Sequence, residues 1–211
     1  MQFSKDYKKI KGDASFRKFY KNNKTKSILV YAKKEKNKNL LIYDAINKIL
    51  IKNGIIAPKL LRQNYKKNYI EIEDLGDKTI YQSFLNKEKN HYLIFKKVIK
   101  ILNKIQTIKN KKIKNFNNRL HKVKYYEKNI LFDEVKLFSD WYVNKKLPKK
   151  KLSIFKYRFN KEIKFLLSRL NYKNDTFVHR DFHVSNLMIN SNNQIGLIDN
   201  QDALIGNKAY D

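Results

Sequence analysis

Cysteine is absent from the 211 residues, which excludes a disulfide framework and a thiolate metal site. No apolar run approaches the ~20 residues a membrane-spanning helix needs. Met1 to Asp6 lacks the apolar stretch of a secretion signal. A cytoplasmic protein is the expectation from these absences. Acidic side chains are few, 19 against 48 basic ones, and arginine is scarce among the latter: Arg17, Arg62, Arg119, Arg158, Arg169 and Arg180 are all there are. Nucleic-acid readers lean on arginine forks, whereas here the basic residues are lysines spread from end to end. The net charge of +29 accompanies an excess of Asn, Ile, Tyr and Phe, all encoded by A/T-rich codons. It therefore reads as compositional bias, and a nucleic-acid partner is not expected. The positive field still favours anionic small molecules. What is present in quantity is core material, with 42% hydrophobic and 13% aromatic residues, enough for one domain or two small lobes.

Periodicity divides the chain. Gly12-Asp13 and Asn22-Asn23 read as turns around a strand holding Phe16, Phe19 and Tyr20, and Ser27–Ala32 as its antiparallel partner. Asn39 to Asn53 has helical spacing and ends at Asn53-Gly54. Ile55 to Leu61 leads into a strand, and Tyr69–Glu73 alternates as another. After Gly76 the spacing turns helical, over Thr79–Leu85, His91–Ile108, Tyr125–Val143 and Leu152–Leu170. A short strand at Phe177-Val178, a loop from His179 to Asn186, and strands at Leu187–Ile189 and Ile195–Ile198 about an Asn192-Asn193 turn complete the pattern. The lysine-rich stretches 33–38 and 145–151 read as solvated loops. The expected fold class is α+β with two lobes: residues 1–76 a small antiparallel sheet with one helix, residues 77–211 mainly helical.

The loop His179-Arg180-Asp181-Phe182-His183-Val184-Ser185-Asn186 fits the catalytic pattern H-R-D-x-x-x-x-N of phosphoryl-transfer enzymes. A carboxylate must orient the attacking hydroxyl and take its proton, which suits Asp181. The amide oxygen of Asn186 can hold a magnesium ion. A second carboxylate must hold the metal that bridges the phosphates, and Asp199 follows the strand that would present it. The i, i+4 spacing of His179 and His183 is that of zinc ligands on a helix, but the segment reads as a loop without a third ligand. His179 reads instead as support for the loop backbone.

With these residues in view, the sequence resembles the aminoglycoside phosphotransferase-like kinases, a family with a protein-kinase-like fold. Within it the chain is most similar to the bacterial kinases of N-acetylmuramate and N-acetylglucosamine, which phosphorylate the anomeric hydroxyl of amino sugars in cell-wall recycling. The resemblance rests on Gly12–Arg17, Glu73–Asp77, Glu134–Tyr142, His179–Met188, Ile198–Gly206 and Tyr210-Asp211.

The resemblance implies ATP and magnesium as cofactors. It assigns Gly12, Asp13, Ala14 and Ser15 to a turn over the phosphates, whose backbone N–H groups donate to oxygens. Glu73 and Leu75 become the connector facing adenine. Glu134, Asp140 and Trp141 become part of an acceptor site, although Phe138, Trp141 and Tyr142 at helical spacing read sooner as core. Asp211 becomes a brace behind the catalytic loop. Three departures stand out. The strand Ile28-Leu29-Val30-Tyr31 lacks the usual phosphate-binding lysine, leaving Arg17 or Lys33 as substitutes. Asn200 replaces the usual phenylalanine after the metal aspartate, which is expected to loosen that strand. The family pattern also continues past Asp211 with helices that complete the acceptor pocket, so the resemblance implies a truncated helical lobe. Two other functions fit the same residues. One is the same chemistry on choline, ethanolamine or an aminoglycoside, for which a carboxylate-rich pocket is expected. The other is a nucleotide- or nucleic-acid-binding module without turnover.

Overall fold

The computed structural model describes residues 5–10, 17–33, 38–87, 90–171 and 173–211. In chain order the first elements are β1 (Tyr7–Ile10), β2 (Arg17–Asn22), β3 (Ser27–Ala32), α1 (Asn39–Lys52), β4 (Leu60–Asn64) and β5 (Tyr69–Glu73). The strands form one antiparallel sheet in the order β1-β2-β3-β5-β4. The β2–β3 turn is nucleated by the Asn22 side chain, whose Oδ1 accepts from the N–H groups of Lys24 and Thr25. Such side-chain turns are why asparagine punctuates strands. Helix α1 ends where expected: Gly54, at φ +67°, takes the left-handed conformation that follows a helix C-terminus.

Alternation in β5 predicts Glu71 on a polar face, but the carboxylate is buried. It accepts hydrogen bonds from Tyr7 Oη at 2.8 Å, Ser27 Oγ at 2.5 Å and Arg62 Nε at 2.8 Å. One carboxylate thus ties β5 to β1, β3 and β4. Burial alone would push the Glu71 pKa up; the donors outweigh it and hold the group below the ordinary glutamate range.

Beyond the connector Asp74–Asp77 come β6 (Lys78–Thr79), α2 (Ile80–Leu85), α3 (His91–Gln106), β7 (Lys112–Lys114), β8 (Leu120–Lys122), α4 (Lys128–Leu137), α5 (Lys149–Arg169), β9 (Thr176–Val178), β10 (Leu187–Ile189), β11 (Ile195–Leu197) and β12 (Leu204–Gly206). A capping box between Thr79 and Gln82 starts α2. The β10–β11 hairpin is extended by β6, and β9 pairs with β12. The helix expected over Tyr125–Val143 is broken: α4 passes into a π-helical turn, Phe138–Tyr142, and a 3-10 turn, Val143–Lys145. Part of the second lysine stretch is helix, because Lys149 to Lys151 form the first turn of α5 after Pro148.

Two packed clusters meet on α1. Leu40 and Tyr43 pack with Val30, Ala32, Ile70 and Ile72 of the sheet. On its other face Ile46, Ile49 and Leu50 pack with α3, β9, β10 and β11 through Ile94, Val98, Phe177, Leu187 and Leu197. Each fully buried aliphatic side chain stabilises by about 1.5–3 kcal/mol, so α1 fixes the sheet relative to the helical part. Among the described residues no helix is long and apolar enough to cross a membrane.

Candidate active site

The His179–Asn186 loop joins β9 to β10 and is held from several sides. Asp211 accepts from the backbone N–H groups of His179 (2.6 Å) and Arg180 (2.8 Å). This contact supports the left-handed conformation of Arg180, at φ +76°, which costs energy for a residue with a Cβ. The His179 ring is buried. Its Nδ1 accepts from the Asp181 N–H, so Nε2 carries the proton and donates to Asn200 Oδ1 at 2.7 Å. Both ring nitrogens are thereby committed to shaping the loop. The Asp181 carbonyl accepts from Asn186 Nδ2 (3.0 Å) and from the His183 N–H. Turning the Asn186 amide nitrogen toward the loop leaves its oxygen as the group to face a cation.

Asp199 follows β11 in a left-handed conformation, φ +62°, and is partly exposed. Its Oδ1 accepts from Arg17 Nη2 at 2.9 Å and from Gln201 Nε2 at 3.2 Å. The expectation that Asn200 loosens this strand is corrected. Asn200 is fully buried and donates to Asn47 Oδ1 of α1 (2.8 Å) and to the Leu197 carbonyl (3.0 Å), while accepting from His179. A buried amide with every partner supplied ties three segments together.

Asp181, His183, Asn186, Asp199 and Arg17 border a cleft of about 620 Å³, within the ordinary range of ligand sites. Its walls include Ile28 and Ile72 of the sheet, the connector Glu73 to Asp77, Asp181, Asn186, Met188 and Asp199. Glu73 and Leu75 therefore lie in the same cleft as Asp181, Asn186 and Asp199. Gly12, Asp13, Ala14 and Ser15 lie outside the described residues. Lys33, one of two substitutes for the missing lysine, is exposed and is not among the cleft walls. Arg17 and Lys21 are. The Lys21 ammonium is held at the connector by Asp74 (2.7 Å) and Asp77. Tyr43 stands behind Arg17, its ring centroid 6.0 Å from the guanidinium carbon. Burial pushes the Tyr43 hydroxyl up to about 12, so it stays neutral beside the cation.

A second, smaller cavity of about 380 Å³ is lined by Glu134, Arg180, Asp181, Asp202 and Tyr210. Glu134 is engaged there: it pairs with Arg180 and accepts from the Tyr126 hydroxyl, with Tyr210 Oη 3.3 Å away. Burial, then the carboxylate, pushes the Tyr126 pKa up. Asp140 and Trp141 are not brought to either cavity. Asp140 pairs with Lys156 at 2.6 Å, which holds its pKa low, and Trp141 is 67% exposed. The alternative reading of Phe138, Trp141 and Tyr142 as core is also corrected, since all three are exposed. The π-helical turn widens the helix there and swings these rings outward, where Phe138 stacks on Tyr142.

Sequence reasoning had no place for Arg180, Tyr126, Tyr210 and Asp202 in the site. The arginine of His-Arg-Asp was the available signal, but its partner Glu134 lies 46 residues away. As for a metal, Asp199 and Asn186 present hard oxygen donors on one wall of the cleft. That donor chemistry fits magnesium better than a softer metal.

Comparison with known proteins follows the same lines. The sequence pattern of the "Phosphotransferase enzyme family" matches residues 6–211. The N-acetylmuramate/N-acetylglucosamine kinase of Neisseria meningitidis serogroup B is 26% identical over 157 residues, covering 74% of this chain and 44% of the relative. Its counterpart in Pseudomonas aeruginosa is 26% identical over 200 residues, covering 94% and 56%. The chain thus spans about half the length of the curated relatives it matches. Among solved structures, the ADP-bound aminoglycoside phosphotransferase APH(2'')-Ib aligns with a TM-score of 0.64 at 14% identity, over 97% of this chain and 68% of that one. Choline kinase LicA from Streptococcus pneumoniae aligns with a TM-score of 0.60 at 13% identity, over 96% and 65%. Likeness at such identity is one of fold, the two-lobed α+β arrangement these proteins share.

Proposed function

The chain belongs to the phosphotransferase enzyme family, and from that premise we propose that it transfers the γ-phosphoryl group of ATP to a sugar hydroxyl, that of N-acetylmuramate or N-acetylglucosamine. The observation that carries this reading is the position of Asp181, which borders both cavities. The larger cleft, with the connector on one side and Asp199 on the other, has the size and donors for a nucleotide. The smaller cavity opens from the same carboxylate and has room for an acceptor hydroxyl. Asp181 orients that hydroxyl and takes its proton as the oxygen attacks. Asn186 and Asp199 would hold magnesium, which when bound would supply charge neutralisation for the phosphates. Asp211, His179 and Asn200 keep the loop in shape, so catalysis is mostly positioning. The named kinases of Neisseria meningitidis and Pseudomonas aeruginosa support a sugar acceptor at 26% identity.

One observation favours a second reading. The smaller cavity gathers three carboxylates, of Glu134, Asp181 and Asp202, with one arginine. A cationic acceptor, such as choline or an aminoglycoside, suits carboxylates. Glu134, however, is already neutralised by Arg180, and this leaves the sugar reading ahead. A coupled assay of ADP release with N-acetylmuramate, N-acetylglucosamine, choline and kanamycin separates the two. Stimulation by an amino sugar is expected. Stimulation by choline or kanamycin alone moves the acceptor to the second reading, and absence of both turnover and nucleotide binding ends the kinase reading.

A further inference from the structure

The cleft contains an unassigned cation at the end opposite the connector. On the proposed reading it binds a nucleoside triphosphate, whose phosphates need a positive partner beyond magnesium. β3 supplies none, since Ile28 is its residue in the cleft wall. Lys21 is already held between Asp74 and Asp77 beside the connector, away from Asp199. Arg17, at the first position of β2, reaches the right end. Its side chain is 7% exposed, yet its Nη2 lies 2.9 Å from Asp199 Oδ1 in the cleft wall. The guanidinium carbon is 5.7 Å from the Phe19 ring centroid and 6.0 Å from that of Tyr43. Two aromatic rings seat a delocalised, weakly hydrated cation better than an ammonium. The seat is built for an arginine and points it at the carboxylate assigned to the metal.

We propose that Arg17 is the phosphate-binding residue of this cleft, and that its ion pair with Asp199 is the resting form of that function. Without nucleotide, Arg17 neutralises Asp199 and keeps it oriented. When Asp199 turns to the metal, Arg17 loses its counter-ion and presents its planar fork to the phosphate oxygens, which it matches in geometry as well as charge. One cation thus serves two states of the site. The inference rests on the reading of the cleft as a nucleotide site, so its test must separate the two.

Equilibrium binding of ATP, ADP and adenosine, with magnesium present, does so for wild type, Arg17→Ala and Arg17→Lys. Arg17→Ala is expected to weaken ATP and ADP by about ten- to a hundred-fold, the range for a lost charge-assisted hydrogen bond, and to leave adenosine unchanged. Arg17→Lys should restore only part of the loss. ATP affinity unchanged in folded Arg17→Ala overturns the proposal, as does an equal loss for ATP and adenosine, which marks a purely structural role. If the wild type binds neither ATP nor adenosine, the nucleotide reading falls and this inference with it. Should Arg17→Ala fail to fold by circular dichroism, Arg17→Gln keeps a donor for Asp199 without the charge. The same selective loss of ATP over adenosine is expected of it, and its absence is equally decisive.

Discussion

Asn200 illustrates what single residues decide here. Its amide joins the His179–Asn186 loop through His179, β11 through Leu197 and α1 through Asn47. Removing one member leaves buried donors and acceptors unmatched, at about 1–3 kcal/mol. Because Asn47 and Asn200 share a hydrogen bond, the variants Asn47→Ala and Asn200→Ala should not add. Urea denaturation of both singles and the double is expected to give a coupling of about 0.5–3 kcal/mol; strict additivity would mean the two amides act independently. At this scale the sequence was legible where chemistry is local. His179 to Asn186 and Asp199 lie within 21 positions, and their motif carries its own meaning. It was illegible where partners are remote. Arg17 meets Asp199 across 182 positions and Arg180 meets Glu134 across 46, and no local pattern announces such pairs. Asn200 was misread for the same reason, since its value comes from Asn47, 153 positions away.

Among the elements, long periodic segments were readable from their spacing, and the short strands β9, β10 and β11 from apolar runs beside the loop motif and the Asn192-Asn193 turn. α1 and α3 bury apolar residues at helical spacing over 14 and 16 positions, which is enough for a period to emerge; β5 buries Ile70, Glu71 and Ile72 in succession, against its alternation. β7, β8 and β12 have three residues each, too few to show any alternation. Gly196 marks a close approach that composition hides. A Cβ placed there would lie 2.7 Å from Leu75 Cδ1 and 3.1 Å from Ile56 Cγ2, so β11 packs directly under the connector. Gly196→Ala is expected to cost about 1–3 kcal/mol by overpacking and to weaken nucleotide binding as Leu75 shifts; thermal melts and ATP titration measure both. The sheet has its own pH dependence through Glu71. Its pKa is lowered in the folded state, so its contribution is fully present above the ordinary glutamate value of 4.5 and fades as the pH falls through the folded value. Urea stability measured from pH 6 down to pH 3 should therefore fall more steeply for wild type than for Glu71→Gln; parallel curves would show that Glu71 contributes no linkage.

For the molecule as a whole, charge and architecture tell different stories. The net charge of +29 is a property of composition, and long-range fields of this kind act on encounter rather than on fold. On the proposed reading, function is organised by one carboxylate, Asp181, between two cavities, on a loop supported by Asp211 and, through Asn200 and Asn47, by α1. The bipartite pattern of strands followed by helices was readable from residue spacing. The joining role of α1, which packs on both sides at once, was not, because a periodic stripe does not say how many partners it has. The most direct test of the central claim compares wild type with Asp181→Asn, measuring magnesium-ATP affinity by calorimetry and acceptor-stimulated ADP release. Affinity within about two-fold and turnover lower by about 10²–10⁴, the usual weight of a positioned acid–base group, is the predicted result. Undiminished turnover, or loss of nucleotide binding in a folded variant, would contradict it.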